Sequence, residues 1–556
     1  MSRGVSCNTR NLIFVATGFF LIGLAHLAIF PPFEGLDETA HYSSIRQILD
    51  AGQLPVSLET SFISSEVIEY RTHGPMPYDG TVSPVDPDVP VPHISYAEFY
   101  YNPQLMEAYS WYRTSSPRLP YEAKTAEFNW EADQQPVLYY LSMVPVMKIT
   151  DTLPFVTQFF ILRVVSFTMV FAGLLIGLVA MMRAEVLPRR YVALGFLIYP
   201  LAAPTFFVEF GRLGNDSLCL LLFGIIWALI LMKPNNLNEK LLRAVGLGVC
   251  FGLGLLTKAF FMPFLAGLSA WWLLKIWRGR RDREAAKLDL IRLIFVPVIA
   301  LVLSSRIFSI PQRHSMLDFH MLASLDWPTF IGLAHQRLSI AEQFLNVVNM
   351  TLGALWAGSA SEVYMSSPFL AFTLFAFFVF AVGEYLYAIR RESLISPGWL
   401  PLWLMAPLIM AILAWHILMV TVFGGDNGTG GWYLHVTAPA CILAYGFALR
   451  QMEAHVVTRG VMKCFVMLGI IFLAVIFWTQ ISMYAGCAGK DPDGYFLFPD
   501  RSYCLGQLTT VIGNLAVIGW PDAAMLGFGA GFICLIAGAF GLINKSRDVT
   551  ENAPAK

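Results

Sequence analysis

The run Asn11–Phe30, NLIFVATGFFLIGLAHLAIF, is followed directly by Pro31–His41, PPFEGLDETAH. The run is almost wholly apolar and has the length of about 20 residues that an α-helix needs to cross a bilayer. Two carboxylates, Asp37 and Glu38, come shortly after it. Holding carboxylates beside a low-dielectric layer is unfavourable unless they have a partner or a function. The junction therefore predicts an integral membrane protein with acid–base chemistry just outside the membrane.

The composition of the whole chain extends this prediction. Of the 556 residues, 56% are hydrophobic and 13% are charged, which is about half the charged fraction of a soluble protein. The mean hydropathy is +0.59, and apolar runs recur to the end of the chain. A formal net charge of -1 gives no overall basic field that would attract nucleic acid. We therefore expect an all-α polytopic membrane protein rather than several soluble domains.

The apolar runs predict about twelve transmembrane helices, near residues 11–30, 160–182, 190–207, 216–232, 242–256, 260–276, 292–306, 367–389, 399–420, 432–449, 461–484 and 523–543. Connections rich in Lys and Arg, with Trp277–Arg283 the densest, alternate with connections that carry almost none. Because basic loops face the cytoplasm, both termini are predicted to be cytoplasmic and the protein to lie in the inner (cell) membrane. The run 11–30 is longer than a signal-peptide core, so we expect it to be retained as the first span.

Three connections on the opposite side are too long to be simple turns: residues 31–135, 307–366 and 485–522. They separate the first span, 1–30, from membrane-helix groups at 136–306, 367–484 and 523–556, the last of which includes a cytoplasmic tail. The first connection holds 16 acidic and 5 basic residues, and we expect a small ordered domain there. The third contains Cys487 and Cys504, a pair that predicts a disulfide in an oxidising compartment.

Asp37 and Glu38 are the first candidates for catalysis. A carboxylate takes a proton from a hydroxyl nucleophile, and a carboxylate pair tunes its pKa or holds a divalent cation. The simpler alternative is a helix N-terminus, where acids interact favourably with the helix dipole. His41 follows Asp37 by four residues and shares its helix face. It would bond Asp37, contact a substrate or be an ordinary interfacial histidine.

Other charged residues near predicted span ends are candidate substrate contacts: Glu131 and Asp133 at the end of the first connection, and Arg212, Asp216 and Lys258 in later short ones. Their shared side, opposite the basic loops, suits contacts to a lipid phosphate. The alternatives are a solvated loop for the two acids, and snorkelling to the interface for the other charges. Arg163 lies within a predicted span, where we expect it to pair or to snorkel.

Several segments occur in the order in which similar motifs occur in GT-C glycosyltransferases. The segments are Pro32–His41, Gln135–Tyr140 (QPVLYY), Gly214–Ser217 (GNDS), Thr257-Lys258, Leu352–Ser361 and Gly430–Tyr433 (GGWY). The first also resembles the first-loop motif of a bacterial membrane-protein group with a Pro-Asp-Glu-x-x-His pattern, except that Leu36 replaces the proline. Gln135 and Val137 replace a His and a Pro, and Trp432 stands where the family has an Arg. The resemblance covers roughly residues 11–450.

GT-C enzymes are polytopic proteins that take a sugar from a polyprenyl-phosphate carrier. The resemblance implies an inverting hexosyl- or pentosyltransferase that modifies a glycan or a lipid-linked glycan. Asp37 would deprotonate the acceptor hydroxyl, with Glu38 as the second catalytic carboxylate. Lys258 and Arg212 would stabilise the departing polyprenyl phosphate.

The resemblance also implies further contacts. The remaining substrate contacts would be His41, Glu131, Asp216 and Tyr433. A divalent metal, Mg²⁺ or Mn²⁺, stays open, because some GT-C members work without one; its ligands would be Asp37, Glu38 and Glu131. The expected partners are the lipid-linked donor, the acceptor and membrane lipids, with no nucleic acid.

Two other functions stay open at this stage. Twelve spans with scattered charges also suit a secondary transporter. A transporter would place its charged site near the middle of the bilayer, however, and would not need so large a first connection. A polymerase or ligase of surface polysaccharide would carry its key charges in residues 307–366 instead.

Overall fold

The computed structural model describes residues 2–35, 37–56, 60–76, 94–115, 119, 121, 127–129, 135–232, 236–278, 283–308, 326–337, 368–423, 431–486 and 504–544. Within these residues the regular structure is helical, apart from an isolated β-bridge between Phe62 and Phe128. The all-α fold class predicted from the sequence is confirmed.

The described residues form twenty α-helices. In chain order they are α1 (Ser2–Ile29), α2 (Glu38–Arg46), α3 (Ser65–His73), α4 (Tyr96–Tyr101), α5 (Pro103–Thr114), α6 (Leu138–Ile149), α7 (Phe155–Ala184), α8 (Arg189–Ala202), α9 (Phe206–Gly211), α10 (Asp216–Leu231), α11 (Leu237–Leu255), α12 (Phe261–Arg278), α13 (Arg283–Phe308), α14 (Trp327–Arg337), α15 (Pro368–Ile389), α16 (Leu400–Phe423), α17 (Ala438–Glu453), α18 (Val456–Tyr484), α19 (Leu508–Ile518) and α20 (Pro521–Asn544). A π-helical turn, Gln47–Ala51, extends α2, and 3₁₀ turns Pro397–Trp399 and Gly431–Thr437 precede α16 and α17.

Seven of the described helices are long and apolar enough to cross a membrane: α1, α7, α13, α15, α16, α18 and α20. The other five predicted spans coincide with α8, α10, α11, α12 and α17, which do not satisfy both requirements. The protein is therefore a multi-pass membrane protein by its helices, while the count of twelve spans and the side of each loop stay predictions.

Helices distant in the sequence pack along one another. The first and last helices, α1 and α20, form an extensive pair, α7 packs against α10, and α8 against α17. Small residues permit the α1–α20 approach, because a Cβ atom on Gly18 would lie 2.8 Å from the carbonyl oxygen of Gly531. Close backbone approach at glycines is a common way for membrane helices to associate. The first and last of the described helices are therefore in direct contact.

The first connection, residues 31–135, begins where Pro31 and Pro32 end α1, since proline cannot continue a helix. Immediately afterwards, Phe33 is buried among aromatic rings, with its centroid 5.2 Å from that of Tyr70 and 4.8 Å from that of Phe159 on α7. Burial of several large rings at one point stabilises the turn. The connection is therefore attached to the membrane helices directly before α2 begins.

The same connection also contacts the C-terminal part of the chain. The hydroxyl of Tyr100 donates to the carbonyl oxygen of Tyr484 at 3.0 Å, and Arg113 donates to the carbonyl oxygen of Gly519 at 3.1 Å. Asn102 caps α5 by accepting from the backbone N–H of Gln104 at 3.0 Å. These contacts hold α4 and α5 against α18 and the segment before α20.

Several sequence predictions fall on residues outside this description. Glu131, Asp133 and Cys487 lie there, as does most of 307–366. Cys504 is fully buried and disulfide-bonded. Its pairing with Cys487 stays a prediction.

Candidate active site

Asp37 occupies the position just before α2 and has an unusual backbone conformation. Its φ of 63° and ψ of 6° lie in the left-handed region, which few residues other than glycine adopt, although aspartate is among the more tolerant ones. Such conformations persist where the surrounding structure imposes them, and they concentrate at functional sites. The side chain of Asp37 is 18% exposed.

Gly35 allows the turn before Asp37 to approach a neighbouring segment. A Cβ atom on Gly35 would lie 2.5 Å from the Cβ of Arg212 and 2.7 Å from the Cδ of Glu38. Because neither distance is compatible with a real contact, glycine is required here for its lack of a side chain. The turn therefore holds Asp37 next to the segment that carries Arg212.

Glu38 differs from what the sequence predicts. Its side chain is completely buried, and its Oε1 accepts from Arg163 Nε at 2.8 Å and from the backbone N–H of Leu213 at 2.6 Å. Its Oε2 accepts from Arg163 Nη2 at 2.5 Å and from the backbone N–H of Gly35 at 3.0 Å. With both oxygens engaged by protein donors, Glu38 is a structural anchor, and the predicted catalytic and metal-binding roles do not fit its environment.

Arg163, in the first half of α7, completes this anchor. Besides Glu38 it bonds the carbonyl oxygens of Phe30 and Pro31, the latter at 2.6 Å. Its guanidinium carbon lies 4.6 Å from the centroid of the Phe159 ring. The expectation that Arg163 pairs is correct, and Arg163 joins the segment that follows α1 to Glu38 at the start of α2.

Arg212 lies among three carboxylates. It donates from Nε to Glu209 Oε1 at 3.0 Å, and its Nη2 lies 3.4 Å from Asp216 Oδ2. Its Nη1 lies 3.9 Å from Asp37 Oδ2. The sequence analysis did not single out Glu209, although its position three residues before Arg212 is a spacing that brings side chains together on a helix.

Lys258 lies in the turn between α11 and α12 and meets the same acid. Its Nζ is 2.8 Å from Asp216 Oδ1 and 3.2 Å from Asn215 Oδ1. Its ammonium also lies 4.7 Å from the centroid of the Tyr433 ring, within cation–π range. Burial opposes the charge of Lys258, but the polar interactions of the lysine, of which that with Asp216 is the largest, together outweigh burial and raise its pKa. Lys258 is therefore a cation at neutral pH.

The segment Gln135–Tyr140 reaches the same place. Asn215 donates from Nδ2 to Gln135 Oε1 at 2.9 Å, and the hydroxyl of Tyr140 lies 3.0 Å from His41 Nδ1. Burial, followed by the charges of Arg212 and Lys258, holds the pKa of His41 well below its usual value. His41 is therefore neutral at physiological pH and suited to hydrogen bonding rather than to ion pairing.

We call Asp37, Arg212, Asp216 and Lys258 the charged cluster. The sequence predicts that Asp37, Glu38 and Lys258 meet in one outward-facing cavity. In the structure, the ion pairs of Arg212 and Asp216 connect Asp37 to Lys258, and the cavity stays a prediction. Glu38 contacts the segments that carry the cluster through the backbone N–H groups of Gly35 and Leu213. Within the cluster, Asp37 and Lys258 have the most exposed side chains, at 18% and 12%. They are therefore the members that a ligand would meet first.

Of the three predicted metal ligands, Asp37 and Glu38 lie in the described residues. In that part of the chain, no group of three or more His, Cys, Asp or Glu side chains has an arrangement suited to a metal ion. Both oxygens of Glu38 already accept from protein donors, and Glu131 lies outside the described residues. Glu38 would have to give up Arg163 before it could bind a cation, and a metal at this site stays a prediction.

Comparison with known proteins yields similarity of fold only. The chain resembles ArnT from Cupriavidus metallidurans bound to undecaprenyl phosphate, with 13% identity, a TM-score of 0.42 and coverage of 97% of this chain and 78% of that one. It also resembles the archaeal oligosaccharyltransferase AglB from Archaeoglobus fulgidus in complex with an inhibitory peptide and a dolichol-phosphate. For AglB the identity is 12%, the TM-score 0.37 and the coverage 94% and 56%. No protein-family model and no curated protein matches the sequence.

Proposed function

We propose that this protein is an inverting membrane glycosyltransferase that moves a sugar from a polyprenyl-phosphate donor to an acceptor hydroxyl. The proposed site is the charged cluster, placed on the outer face of the inner membrane. The observation that carries the proposal is the position of Asp37, a partly exposed carboxylate connected through Arg212 and Asp216 to Lys258. A reaction that removes a proton from an alcohol and releases a phosphate needs both charges in one site.

The proposed reaction assigns a role to each part of the cluster. Asp37 takes the proton of the acceptor hydroxyl as the oxygen forms a bond to the anomeric carbon of the sugar. The bond from that carbon to the phosphate oxygen breaks on the opposite face, and its electron pair stays with the phosphate. Lys258 and Arg212 stabilise the negative charge that develops there. The configuration at the anomeric carbon is thereby inverted.

The alternative of a secondary transporter receives less support from this arrangement. Asp37 follows the end of α1, and Arg212 and Lys258 lie in turns at the ends of α9 and α11. A transporter binds its ions and substrate at broken helices near the middle of the bilayer. Charges collected at helix ends beside a large connection fit a site at the membrane boundary better.

The test is a transfer assay with the purified protein and a panel of polyprenyl-phosphate sugars, measuring release of the polyprenyl phosphate. We expect turnover with at least one donor and a loss of about 10²- to 10⁴-fold in Asp37→Asn, the range that general-base catalysis supplies. Asparagine also tolerates the left-handed conformation, so the variant should fold. Asp50→Asn is the matched control, because Asp50 pairs with Arg46 at 2.8 Å rather than with the cluster. Wild-type turnover by Asp37→Asn would contradict the proposed base.

A further inference from the structure

Asp216 lies between the two cations of the charged cluster. Its Oδ1 is 2.8 Å from Lys258 Nζ, and its Oδ2 is 3.4 Å from Arg212 Nη2. The carboxylate is nearly buried, with a side-chain exposure of 6%. The place from which one anion could contact both cations is therefore taken by a carboxylate of the protein itself.

The charges around Asp216 indicate how strongly the cluster would repel a bound phosphate group. Among the described residues, three carboxylates, those of Asp37, Glu209 and Asp216, lie beside two cations, Arg212 and Lys258. A phosphate group would bring one or two further negative charges into this largely buried cluster, where repulsion between like charges is strong. Phosphate oxygens and carboxylate oxygens also compete for the same N–H donors. Phosphate binding therefore requires that one carboxylate withdraw.

We propose that Asp216 is an internal anion that releases Lys258 and Arg212 when a phosphate group binds, and pairs with them again when the phosphate leaves. The inference rests on the proposed function for the source of the phosphate, which is either the lipid product or free phosphate. Asp216 is then a positioning residue, and it acts by keeping the cations neutralised between turnovers.

The surroundings of Lys258 and Asp216 permit such an exchange. When Asp216 withdraws, Asn215 Oδ1 at 3.2 Å and the ring of Tyr433 still hold the ammonium of Lys258. Asp216 is the first residue of α10. Because the N-terminus of a helix stabilises a negative charge, the carboxylate stays stabilised after its ion pairs with Lys258 and Arg212 break. Neither partner of the broken ion pair is left without support.

The exchange between the Asp216 carboxylate and a phosphate group should affect turnover. An anion that competes with phosphate weakens the binding of the phosphate product and speeds its release, a step that limits the rate of many enzymes. Removing the competing charge should therefore trap the product. The expected signature is tighter phosphate binding in a variant that lacks the Asp216 carboxylate.

The first experiment measures binding of farnesyl phosphate, inorganic phosphate and farnesol to the purified full-length protein. We expect Asp216→Asn to bind the phosphate-bearing probes roughly tenfold more tightly than the wild type and to leave farnesol binding unchanged. Glu209→Gln is the matched control, because it removes the same charge beside Arg212 without touching Lys258. An equal increase in phosphate affinity in both variants, or no increase in Asp216→Asn, overturns the proposal. A gain for farnesyl phosphate alone assigns the site to a lipid headgroup, and a gain for inorganic phosphate as well assigns it to the phosphate group itself.

A second measurement needs no variant and covers the case in which Asp216→Asn does not fold. In an experimental structure of the wild type with farnesyl phosphate, the distance from Lys258 Nζ to Asp216 Oδ1 should increase beyond about 3.5 Å, outside hydrogen-bond range. A phosphate bound to Lys258 with that ion pair intact contradicts the proposal. Neither experiment includes sugar transfer, so their failure and the failure of the glycosyltransferase proposal are distinguishable.

Discussion

Two adjacent acids, Asp37 and Glu38, have opposite environments although they belong to one motif. Asp37 is strained and partly exposed, whereas Glu38 is buried and accepts four hydrogen bonds from Arg163, Gly35 and Leu213. The second acid fixes the turn, and this allows the first to lie next to Arg212.

We predict that Glu38→Gln destabilises the protein by about 3–5 kcal/mol, because it leaves the charge of Arg163 buried without its partner. The double variant Glu38→Gln with Arg163→Met should recover much of this loss, since it removes both charges together. Denaturant unfolding in detergent, followed by tryptophan fluorescence, measures the difference. If the double variant is less stable than Glu38→Gln, the ion pair is not the anchor.

At the level of elements, His41 on α2 contacts α6 through the hydroxyl of Tyr140. The unfolded chain binds a proton at His41 near pH 6.5, whereas the folded protein resists that proton because of burial, Arg212 and Lys258. The unfolded state therefore binds more protons below this pH, and the stability contributed by neutral His41 decreases as the pH falls through about 6.5.

We predict that His41→Gln loses less stability than the wild type between pH 7 and pH 5. The comparison isolates His41, because all other histidines remain in both proteins. Tyr140→Phe serves as the control: it removes the hydroxyl 3.0 Å from His41 Nδ1 but keeps the titrating ring, so its pH dependence should follow that of the wild type. Identical pH profiles for His41→Gln and the wild type would show that folding does not change the pKa of the ring.

The elements could be predicted from the sequence better than the contacts between them. Among the described residues, hydropathy located all seven helices that are long and apolar enough to cross a membrane, because such a helix needs a continuous apolar run. It did not show that Glu38 pairs with Arg163, 125 positions away, since a pairing between distant segments depends on helix packing. Glu209 was missed for a related reason: it lies two residues after the apolar run 190–207, and its importance comes from its ion pair with Arg212.

At the level of the whole molecule, the charged cluster is assembled from widely separated segments. Asp37 precedes α2, Arg212 follows α9, Lys258 follows α11, and Tyr433 lies in the 3₁₀ turn before α17. Such an arrangement requires that these helix ends lie at the same membrane boundary. The orientation of the spans is therefore part of the proposed chemistry, and it can be tested directly.

We predict that cysteines introduced at Arg391 and His455 react with a membrane-impermeant thiol reagent from one side, and a cysteine at Tyr101 from the other. Arg391 lies between α15 and α16, and His455 between α17 and α18, in connections that the distribution of basic residues assigns to the cytoplasm. Two membrane crossings, α16 and α17, separate them, so they share a side only if α17 spans together with α16. Since α17 is not among the seven clearest spans, this pair distinguishes the twelve-span arrangement from one with fewer crossings.

The parent chain, labelled in parallel, supplies the background from its own cysteines. Labelling of positions 391 and 455 from opposite sides would remove α17 from the set of spans. Labelling of position 101 from the cytoplasm would separate the first connection from the outer face and contradict the proposed location of Asp37.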